Sequence, residues 1–294
     1  MSRVGLVAIG RNEGERLRLC LLSLKGQGER AVYVDSGSSD GSAALARGMG
    51  VAVVELDASL PFTAARGRNA GFAAVTAGGG IDHVQFVDAD CELVPGWAAE
   101  AAAALDADPS LGLVTGWRTE AEPRRNLYHA LAEVEWRAPA GDIASCGGDM
   151  MVRAEAFRAA GGFDPTIIAS EDEEFCLRLA ARTGLRLRRL PRLMTRHDLR
   201  MDRPSEWWRR SVRSGHGFAD LPAFPGHFRR ERLRAWGYGL VLPLLALGGV
   251  LVGQGWLAAL VLAAYLASWL RTARSLARRH GLPSGRALGV AGLM

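Results

Sequence analysis

Two groups of carboxylates stand where a parallel sheet would present them to a substrate. Asp88 and Asp90 follow the apolar run 84–87, at the exit of a predicted buried strand, and the acidic run 171–174 comes later in the chain. One group could hold a hard divalent cation on leaving phosphates, and the other could take a proton from an attacking hydroxyl. The pattern therefore favours a metal-assisted transfer from a diphosphate donor.

The first two hundred residues alternate between strand-like and helix-like segments, as a parallel sheet with crossover helices requires. In such sheets, ligands bind beyond the carboxyl ends of the strands. We predict strands over 4–9, 31–34, 51–56, 83–87 and 185–190, and helices over 13–24, 41–49 and 64–77.

Polar residues follow three of the predicted strands. Each group could belong to a functional site or have a purely structural role. They are Asn12 with Glu13, Asp35 with Ser36, and Asp88 with Asp90. Turn chemistry alone accounts for the composition of 35–41, where Ser39 or Asp40 could cap the next helix. The first strand is not followed by the glycine-rich loop of a dinucleotide fold, and the chain has no Gly-Lys-Ser phosphate loop.

Composition narrows the class of protein. A chain of 294 residues with 49% hydrophobic content can bury a sizeable core, so a disordered protein is excluded. The four cysteines form no Cys-x-x-Cys pair, which favours reduced thiols over a zinc site or a disulfide framework. The N-terminus runs directly into the first strand, and we expect no signal peptide.

Charge is divided unevenly along the chain. Residues 1–202 carry 23 bases and 28 acids, whereas 203–294 carry 13 bases and 3 acids, so the net charges are −5 and +10. The bases of the second part flank an apolar stretch instead of covering a folded domain, which favours a membrane surface over nucleic acid.

The stretch 235–270 contains no charged residue. It is too long for one ordinary membrane crossing and slightly short for two, so we predict a tight transmembrane hairpin that turns near 253–255. Arginines on both sides place both ends in the cytoplasm by the positive-inside rule. A pair of buried helices in a soluble domain is the alternative.

Four regions follow from these patterns: a catalytic domain over 1–200, an amphipathic membrane-interface segment over 201–234, the hairpin over 235–270 and a cytoplasmic basic tail over 271–294. The interface segment mixes Trp207, Trp208, Phe218 and Phe224 with arginines. An ordinary surface helix would explain the segment almost as well.

Six motifs occur in order along the chain. They are the first strand with Arg11-Asn12-Glu13, the segments 34–42 and 65–71, the Asp-x-Asp motif Asp88-Ala89-Asp90, the segment 148–164 and Ser170-Glu171-Asp172-Glu173-Glu174-Phe175. Together they resemble the nucleotide-sugar-dependent glycosyltransferases of family 2, of the membrane-anchored bacterial type, over roughly residues 4–200. The resemblance implies the GT-A fold, a mixed α/β sheet flanked by helices, and the activity of an inverting, metal-dependent hexosyltransferase.

The resemblance also implies roles for single residues. Asp172 matches the general base. Asp35 and Glu13 match the pocket for the nucleotide base, Arg66 and Asn69 border the nucleotide, and Asp88 touches the ribose or the metal. Asp90, with His197 as a further ligand, would bind the Mg²⁺ or Mn²⁺ that bridges the donor phosphates. For His197 an ordinary surface position is an equally good explanation.

Departures from the family qualify the resemblance. The family often has Pro-x-Tyr-Asn-Glu after its first strand, where this chain has Ile9-Gly10-Arg11-Asn12-Glu13 and so lacks the aromatic residue. The Gln-x-x-Arg-Trp motif of processive polymer synthases is absent, which favours transfer of one sugar at a time. We expect a lipid-linked or saccharide acceptor at the cytoplasmic face of the inner membrane.

Two other functions stay open from the sequence. A sugar nucleotidyltransferase would share the sheet and the metal, but it needs a glycine-rich loop bearing Lys or Arg after its first strand. A non-catalytic, membrane-anchored scaffold would keep the fold but would not bind UDP or GDP in a metal-dependent way.

Overall fold

The computed structural model describes residues 2–219, 221, 224 and 226–294, except for the side chain of Phe218. Four residues of the predicted interface segment, Asp220, Pro222, Ala223 and Pro225, therefore lie outside the described residues. The chain divides into two compact units, one formed by Met1–Glu122 with Trp136–Arg200 and the other by Pro123–Glu135 with Met201–Met294.

The elements follow one another in chain order. The list to the end of the sheet is β1 (Val4–Gly10), α1 (Glu15–Leu24), β2 (Arg30–Asp35), α2 (Ser42–Gly48), β3 (Ala52–Glu55), α3 (Ala64–Thr76), β4 (His83–Asp88), β5 (Cys91–Leu93), α4 (Trp97–Ala107), β6 (Leu111–Glu120), α5 (Leu127–Trp136), β7 (Gly141–Ile143), β8 (Met150–Arg153), α6 (Ala154–Ala160), α7 (Glu171–Thr183) and β9 (Arg186–His197). There follow α8 (Pro204–Ala219), α9 (Arg229–Trp236), a π-helical turn (Gly237–Val241), α10 (Leu242–Leu251), α11 (Gly255–His280) and α12 (Ser284–Leu293).

The first unit is built on one mixed sheet. Over the described residues its order is β3-β2-β1-β4-β8-β6-β9-β5, and β7 pairs with β9. The strands β3, β2, β1 and β4 are parallel, whereas β8 runs antiparallel to both of its neighbours. A hydrophobic cluster covers each face of this sheet, so β1 is apolar on both faces and β4 is buried on both faces. The predicted mixed α/β sheet flanked by helices is confirmed.

The register brings the predicted polar strand ends together. Gly10 of β1 pairs with Asp35 of β2, and Ile9 pairs with Asp88 of β4. The side chains that follow these strands therefore emerge at one edge of the sheet, as the parallel arrangement predicts.

Two predicted boundaries were wrong. Helix α1 begins at Glu15 instead of residue 13, because Gly14 precedes it with φ 52°, a left-handed conformation that cannot continue a helix. Strand β9 does not end at residue 190 but continues to His197. Pro191, which cannot donate to a neighbouring strand, follows the predicted end, yet the pairing of β6 with β9 skips this position through a register shift.

The second unit is helical. Arg229–Leu251 and Gly255–His280 are long and apolar enough to cross a membrane by length and composition, and only 6% of the apolar window of each is buried. They form a hairpin in which the Tyr265 hydroxyl donates to the carbonyl of Tyr238. The turn lies at 252–254, close to the predicted position.

The segment 271–294, interpreted from the sequence as a basic tail, is folded. Helix α11 continues to His280, and α12 packs against α5 and α11 in a separate apolar cluster. Ala287 and Val290 of α12 are almost fully buried in it. Although the segment is rich in arginine, its alanines, leucines and valines contribute to a small core.

Candidate active site

Arg68 lies at the centre of the acidic cleft in the first unit. It projects from α3 and is buried, and its guanidinium donates through Nη2 to Asp88 Oδ1 and through Nη1 to Glu171 Oε1, both at 2.8 Å. The end of β4 and the start of α7 are thus tied to one cation. Because a buried guanidinium without carboxylate partners would be unstable, each of these three charges requires the others.

A second arginine completes the surroundings of Asp88. Arg118 of β6 donates to Asp88 Oδ2 at 3.1 Å and pairs with Asp149 Oδ2 at 2.7 Å. The buried carboxylate of Asp149 also accepts hydrogen bonds from the backbone amide of Asp88 and the hydroxyl of Thr195. Both oxygens of Asp88 therefore already have guanidinium partners, which orient them within the cleft.

Asp172 lies in the first turn of α7, directly after Glu171. Ser170 precedes this helix with φ 62°, a conformation that non-glycine residues rarely adopt and that is common beside functional sites. Burial and repulsion from Glu171 raise the pKa of Asp172 to about 7, against the opposing effect of Arg68. A carboxylate with a pKa in this range is suited to accept a proton near neutral pH.

Gly147 and Gly148 lie beside the two acidic groups, Gly147 near Asp172 and Gly148 near Asp88. A Cβ on Gly147 would lie 3.7 Å from Asp172 Oδ2, whereas a Cβ on Gly148 would lie 3.2 Å from Asp88 Oδ1 and only 1.8 Å from Arg68 Nη2. The backbone of this loop therefore passes close to both carboxylates. The Asp88 segment and the Asp172 segment therefore meet at one place in the first unit.

Asp90 and His197 form the second cluster of the cleft. His197 Nε2 lies 3.0 Å from Asp90 Oδ2, and the indole of Trp136 packs edge-on against the imidazole. Burial alone would lower the pKa of His197, but its contacts with Asp90 and Glu120 raise that pKa to about 9. His197 is buried at the end of β9, not at the surface.

This cluster fits a divalent cation. Two adjacent ligands of an octahedral ion with bonds of about 2.1 Å stand about 3.0 Å apart, which matches the separation of Asp90 Oδ2 and His197 Nε2. Within the described residues, Cys91 Sγ is a third ligand-type atom, and all three atoms lie within 4.8 Å of one another. Burial raises the pKa of the Cys91 thiol, which favours the protonated form and makes Cys91 a poor ligand. His197 would have to release its ring proton to bind the cation, because its pKa is raised as well.

Glu13 lies on the Asp90 side of the cleft. It pairs with Arg16, whose Nη1 is 3.9 Å from Asp90 Oδ2. Burial and the charge of Asp90 raise the pKa of Glu13. The structure therefore places Glu13 beside the candidate metal ligands.

Asp35 is buried at the end of β2, and its carboxylate stabilises the turn that follows this strand. Its carboxylate accepts hydrogen bonds from the amides of Gly37 and Ser38 and from the hydroxyl of Tyr33. Phe62 covers this turn, because a Cβ on Gly37 would lie 2.6 Å from the Phe62 ring. An aromatic side chain therefore lies beside Asp35, although the tyrosine usual after the first strand is missing.

Arg66 and Asn69 of α3 contact the backbone in the structure. Arg66 donates to the carbonyls of residues 57, 60 and 61. The amide of Asn69 both donates to and accepts from the backbone of Phe163, each at 2.8 Å. These contacts shape the loops around the cleft.

Comparison with known proteins agrees with this arrangement. The family model "Glycosyl transferase family 2" matches residues 7–158, which is more than half of the chain. The chain belongs to glycosyl transferase family 2. The resemblance inferred from the sequence is confirmed, and the matched residues form a glycosyltransferase domain.

Solved structures share the fold of this glycosyltransferase. A mannosyltransferase from Pyrobaculum calidifontis, in complex with GDP-Man and Mn²⁺, is 20% identical with a TM-score of 0.60, covering 99% of this chain and 86% of that chain. S. aureus TarS 1–349 is 13% identical with a TM-score of 0.54, covering 99% and 90%. A TPR repeat-containing protein of Synechococcus elongatus is 33% identical over 134 residues, which are 46% of this chain and 32% of that protein.

Several residues of the glycosyltransferase cleft were missed by the sequence analysis. Arg68 stood within a quoted motif without a role, and Asp149 stood in another. Arg118 and Trp136 had no local signal, because their partners are distant in sequence. A charged residue within an otherwise core-facing helix pattern, such as Arg68 in α3, is the signal that could have identified one of them.

Proposed function

We propose that this glycosyltransferase moves a sugar from a nucleoside diphosphate donor to a hydroxyl of a lipid-linked or saccharide acceptor, with inversion, at the cytoplasmic face of the inner membrane. The observation that carries the proposal is the double contact of Arg68 with Asp88 and Glu171. This contact supports a single cleft in which a base on α7 faces a donor held at the end of β4.

Asp90 and His197 are the residues that would hold Mg²⁺ or Mn²⁺, and Asp88 would hold the ribose or contact the same ion. When bound, the cation supplies positive charge to the leaving diphosphate. The arginines on Asp88 support the ribose role over direct ligation, because they already occupy both of its oxygens.

The nucleotide would lie along the edge formed by the ends of β1, β2 and β4. Asp35 would meet the base from its turn, where its carboxylate keeps free lone pairs beyond the hydrogen bonds described above. Phe62 offers a ring beside that turn. Glu13 lines the pocket from the Asp90 side, whereas Arg66 and Asn69 act by holding the loops that border the nucleotide.

Asp172 is the proposed general base. Its raised pKa places half-titration near neutral pH, so the carboxylate can remove the acceptor proton as the new bond forms. A single carboxylate that activates the acceptor opposite the leaving group gives one displacement and inversion at the anomeric carbon. Glu171 pairs with Arg68 and is thereby kept from the same task.

The apolar hairpin would hold the cleft near a membrane-bound acceptor. Its supporting observation is the exposure of apolar side chains on α10 and α11, including Leu251 and Leu262, which are 76% and 70% exposed. Large contiguous apolar surfaces of this kind are rare on water-soluble monomers. Confinement to the bilayer surface raises the local concentration of an acceptor without any new contact.

A thermal-shift panel tests the donor and the cation together. The full chain in neutral detergent is titrated with GDP and UDP, each with and without Mn²⁺. We expect one nucleotide to raise the melting temperature only when Mn²⁺ is present, and Asp90→Asn to lose this effect while Glu92→Gln, a matched change two residues away, keeps it. The absence of any nucleotide-induced shift, or an equal shift without metal, would reject the proposal.

A further inference from the structure

Four arginines line an open groove at the C-terminal end of α11. Arg271, Arg274 and Arg278 recur at helical spacing on one face, and Arg279 stands beside them. The groove has a volume of about 560 Å³, and Ala267 and Ser275 complete its lining. This arrangement concentrates positive charge in one concave place on the second unit.

Among the residues that the structure describes, no carboxylate pairs with these guanidinium groups. None of the four lies within ion-pair distance of a carboxylate in the described part of the chain. The last acidic residue of the sequence is Glu231, so α10, α11 and α12 contain no carboxylate side chain. Elsewhere in the protein, by contrast, arginines such as Arg125 and Arg210 pair with Asp202 and Glu135.

Packing fixes the orientation of the arginine face. On the opposite side of α11, Ala273 and Leu276 are 4% and 5% exposed, in the apolar cluster that includes Ala287 and Val290 of α12. A rotation of α11 that hid the arginines would expose this cluster. The groove is therefore directed outward by the same contacts that hold the unit together.

The groove is amphiphilic along its length. It begins at Ala267, in the apolar half of α11, and ends among the arginines. Leu260, two turns before Ala267 on the same face of the helix, is 59% exposed. A soluble phosphate would use only the arginine end. A phosphate that carries acyl chains matches both ends, because guanidinium groups bind phosphate oxygens in pairs while the chains lie along the apolar half.

We propose that the groove formed by Ala267, Arg271, Arg274, Ser275, Arg278 and Arg279 is a binding site for the phosphate headgroup of an anionic membrane lipid. The site rests on the proposed insertion of the hairpin into a membrane, and it is separate from the donor cleft of the first unit. Basic pockets at the cytoplasmic end of membrane helices bind anionic headgroups in this way.

Lipid binding to the full chain in dodecyl maltoside tests the site. Native mass spectrometry with phosphatidylglycerol and with phosphatidylcholine of the same chain length gives both affinities. We expect a clear preference for phosphatidylglycerol, and the double variant Arg274→Gln/Arg278→Gln should weaken its binding on the order of tenfold. The control Arg229→Gln/Arg230→Gln removes the same charge from α9 and should keep the preference.

Three results would overturn the site: no preference for phosphatidylglycerol, equal weakening in both double variants, or equally tight binding of inorganic pyrophosphate in the absence of lipid. The last would identify a soluble anion as the occupant. The Mn²⁺-dependent nucleotide shift is measured on the same samples. Its absence would reject the proposed transferase mechanism, whereas loss of lipid preference beside an intact nucleotide shift would reject the groove alone. Recovery of the wild-type chain in the soluble fraction without detergent would reject the membrane hairpin, and with it the lipid site that depends on the hairpin.

Discussion

Asp88 and Glu171 accept hydrogen bonds from the same guanidinium, that of Arg68, at 2.8 Å each. Asp88 ends a central strand and Glu171 begins a helix that is distant in sequence. Because Asp172 follows Glu171 directly, this shared cation sets the position of the proposed base relative to the donor edge of the sheet. Interference with Arg68 should therefore damage stability and catalysis together.

Gly148→Ala should displace Arg68. The added methyl would lie 1.8 Å from Nη2 of Arg68, a distance that requires the side chain or the loop to move. We expect a loss of about 3 kcal/mol or more in the free energy of unfolding, as for a broken buried ion pair, together with reduced turnover. Urea denaturation of the full chain in detergent measures the first quantity.

Gly147→Ala is the matched control for this change. Its methyl would meet Asp172 Oδ2 at an ordinary 3.7 Å, and Gly147 does not have a positive φ. We expect a change in unfolding free energy within about 1 kcal/mol. Equal destabilisation by the two alanines would contradict the assigned role of Arg68.

Asp172→Asn should remove the proposed base without removing the donor. Turnover should fall by a factor of about 10² to 10⁴, while the nucleotide-induced thermal shift stays as in the wild type. In the wild type, the pH profile of turnover should rise on its acid side with an apparent pKa of about 7, because the base acts when deprotonated. A profile that is flat from pH 5.5 to 8 would argue against Asp172.

The same group gives a prediction about stability. The pKa of Asp172 is raised in the folded chain from 3.8 to about 7, so the proton stabilises the fold fully below about pH 4 and this contribution is lost as pH rises through about 7. Asp172→Asn carries no such charge. Its melting temperature should therefore exceed that of the wild type at pH 8 and approach it at pH 5, as calorimetry would measure.

Removal of either proposed cation ligand should weaken the binding of the cation. We expect His197→Gln and Asp90→Asn each to raise the Mn²⁺ concentration for half-maximal nucleotide binding by at least about tenfold. Trp136→Leu, which changes the packing against His197 but no ligand atom, should have a smaller effect. Unaltered Mn²⁺ titrations in both ligand variants would show that Asp90 and His197 do not bind the cation.

Leu262→Glu distinguishes a membrane hairpin from a soluble helix pair. Leu262 is 70% exposed, so in water the change should be nearly neutral, but at the centre of a bilayer helix a carboxylate costs about 2.5–3.5 kcal/mol. We expect the variant to be depleted from the membrane fraction. Leu60→Glu, at a 53% exposed position in the first unit, is the control.

Point variants are better suited to this question than deletion of residues 235–294. That deletion would remove Val290 and Ala287, which are buried in the cluster around α5. A loss of activity would then report unfolding of the second unit instead of detachment from a membrane. The charge at position 262 leaves that cluster intact.

Much of the fold could be predicted from local pattern. The strands β1, β2 and β4 were placed to within one or two residues, because fully buried parallel strands require continuous apolar runs. The hairpin could be predicted because a stretch of 36 residues without a charge, 235–270, is unusual in water-soluble folds. The prediction ended strand β9 too early, at residue 190. Pro191 is visible in the sequence, whereas the pairing with β6 that lets the strand continue beyond Pro191 is not.

The sequence by itself determined that acids follow strand ends and that four more acids begin a helix, since periodicity and turn chemistry act between neighbours. Only the tertiary structure decided that Glu171 pairs with Arg68 and that Asp172 remains beside the Gly147 loop. The packing of α12 onto α5 was likewise invisible in the sequence. These contacts form between side chains that are distant in sequence and that folding brings within a few ångströms of one another. The energy of a buried charge depends on those contacting groups, and local sequence does not reveal them.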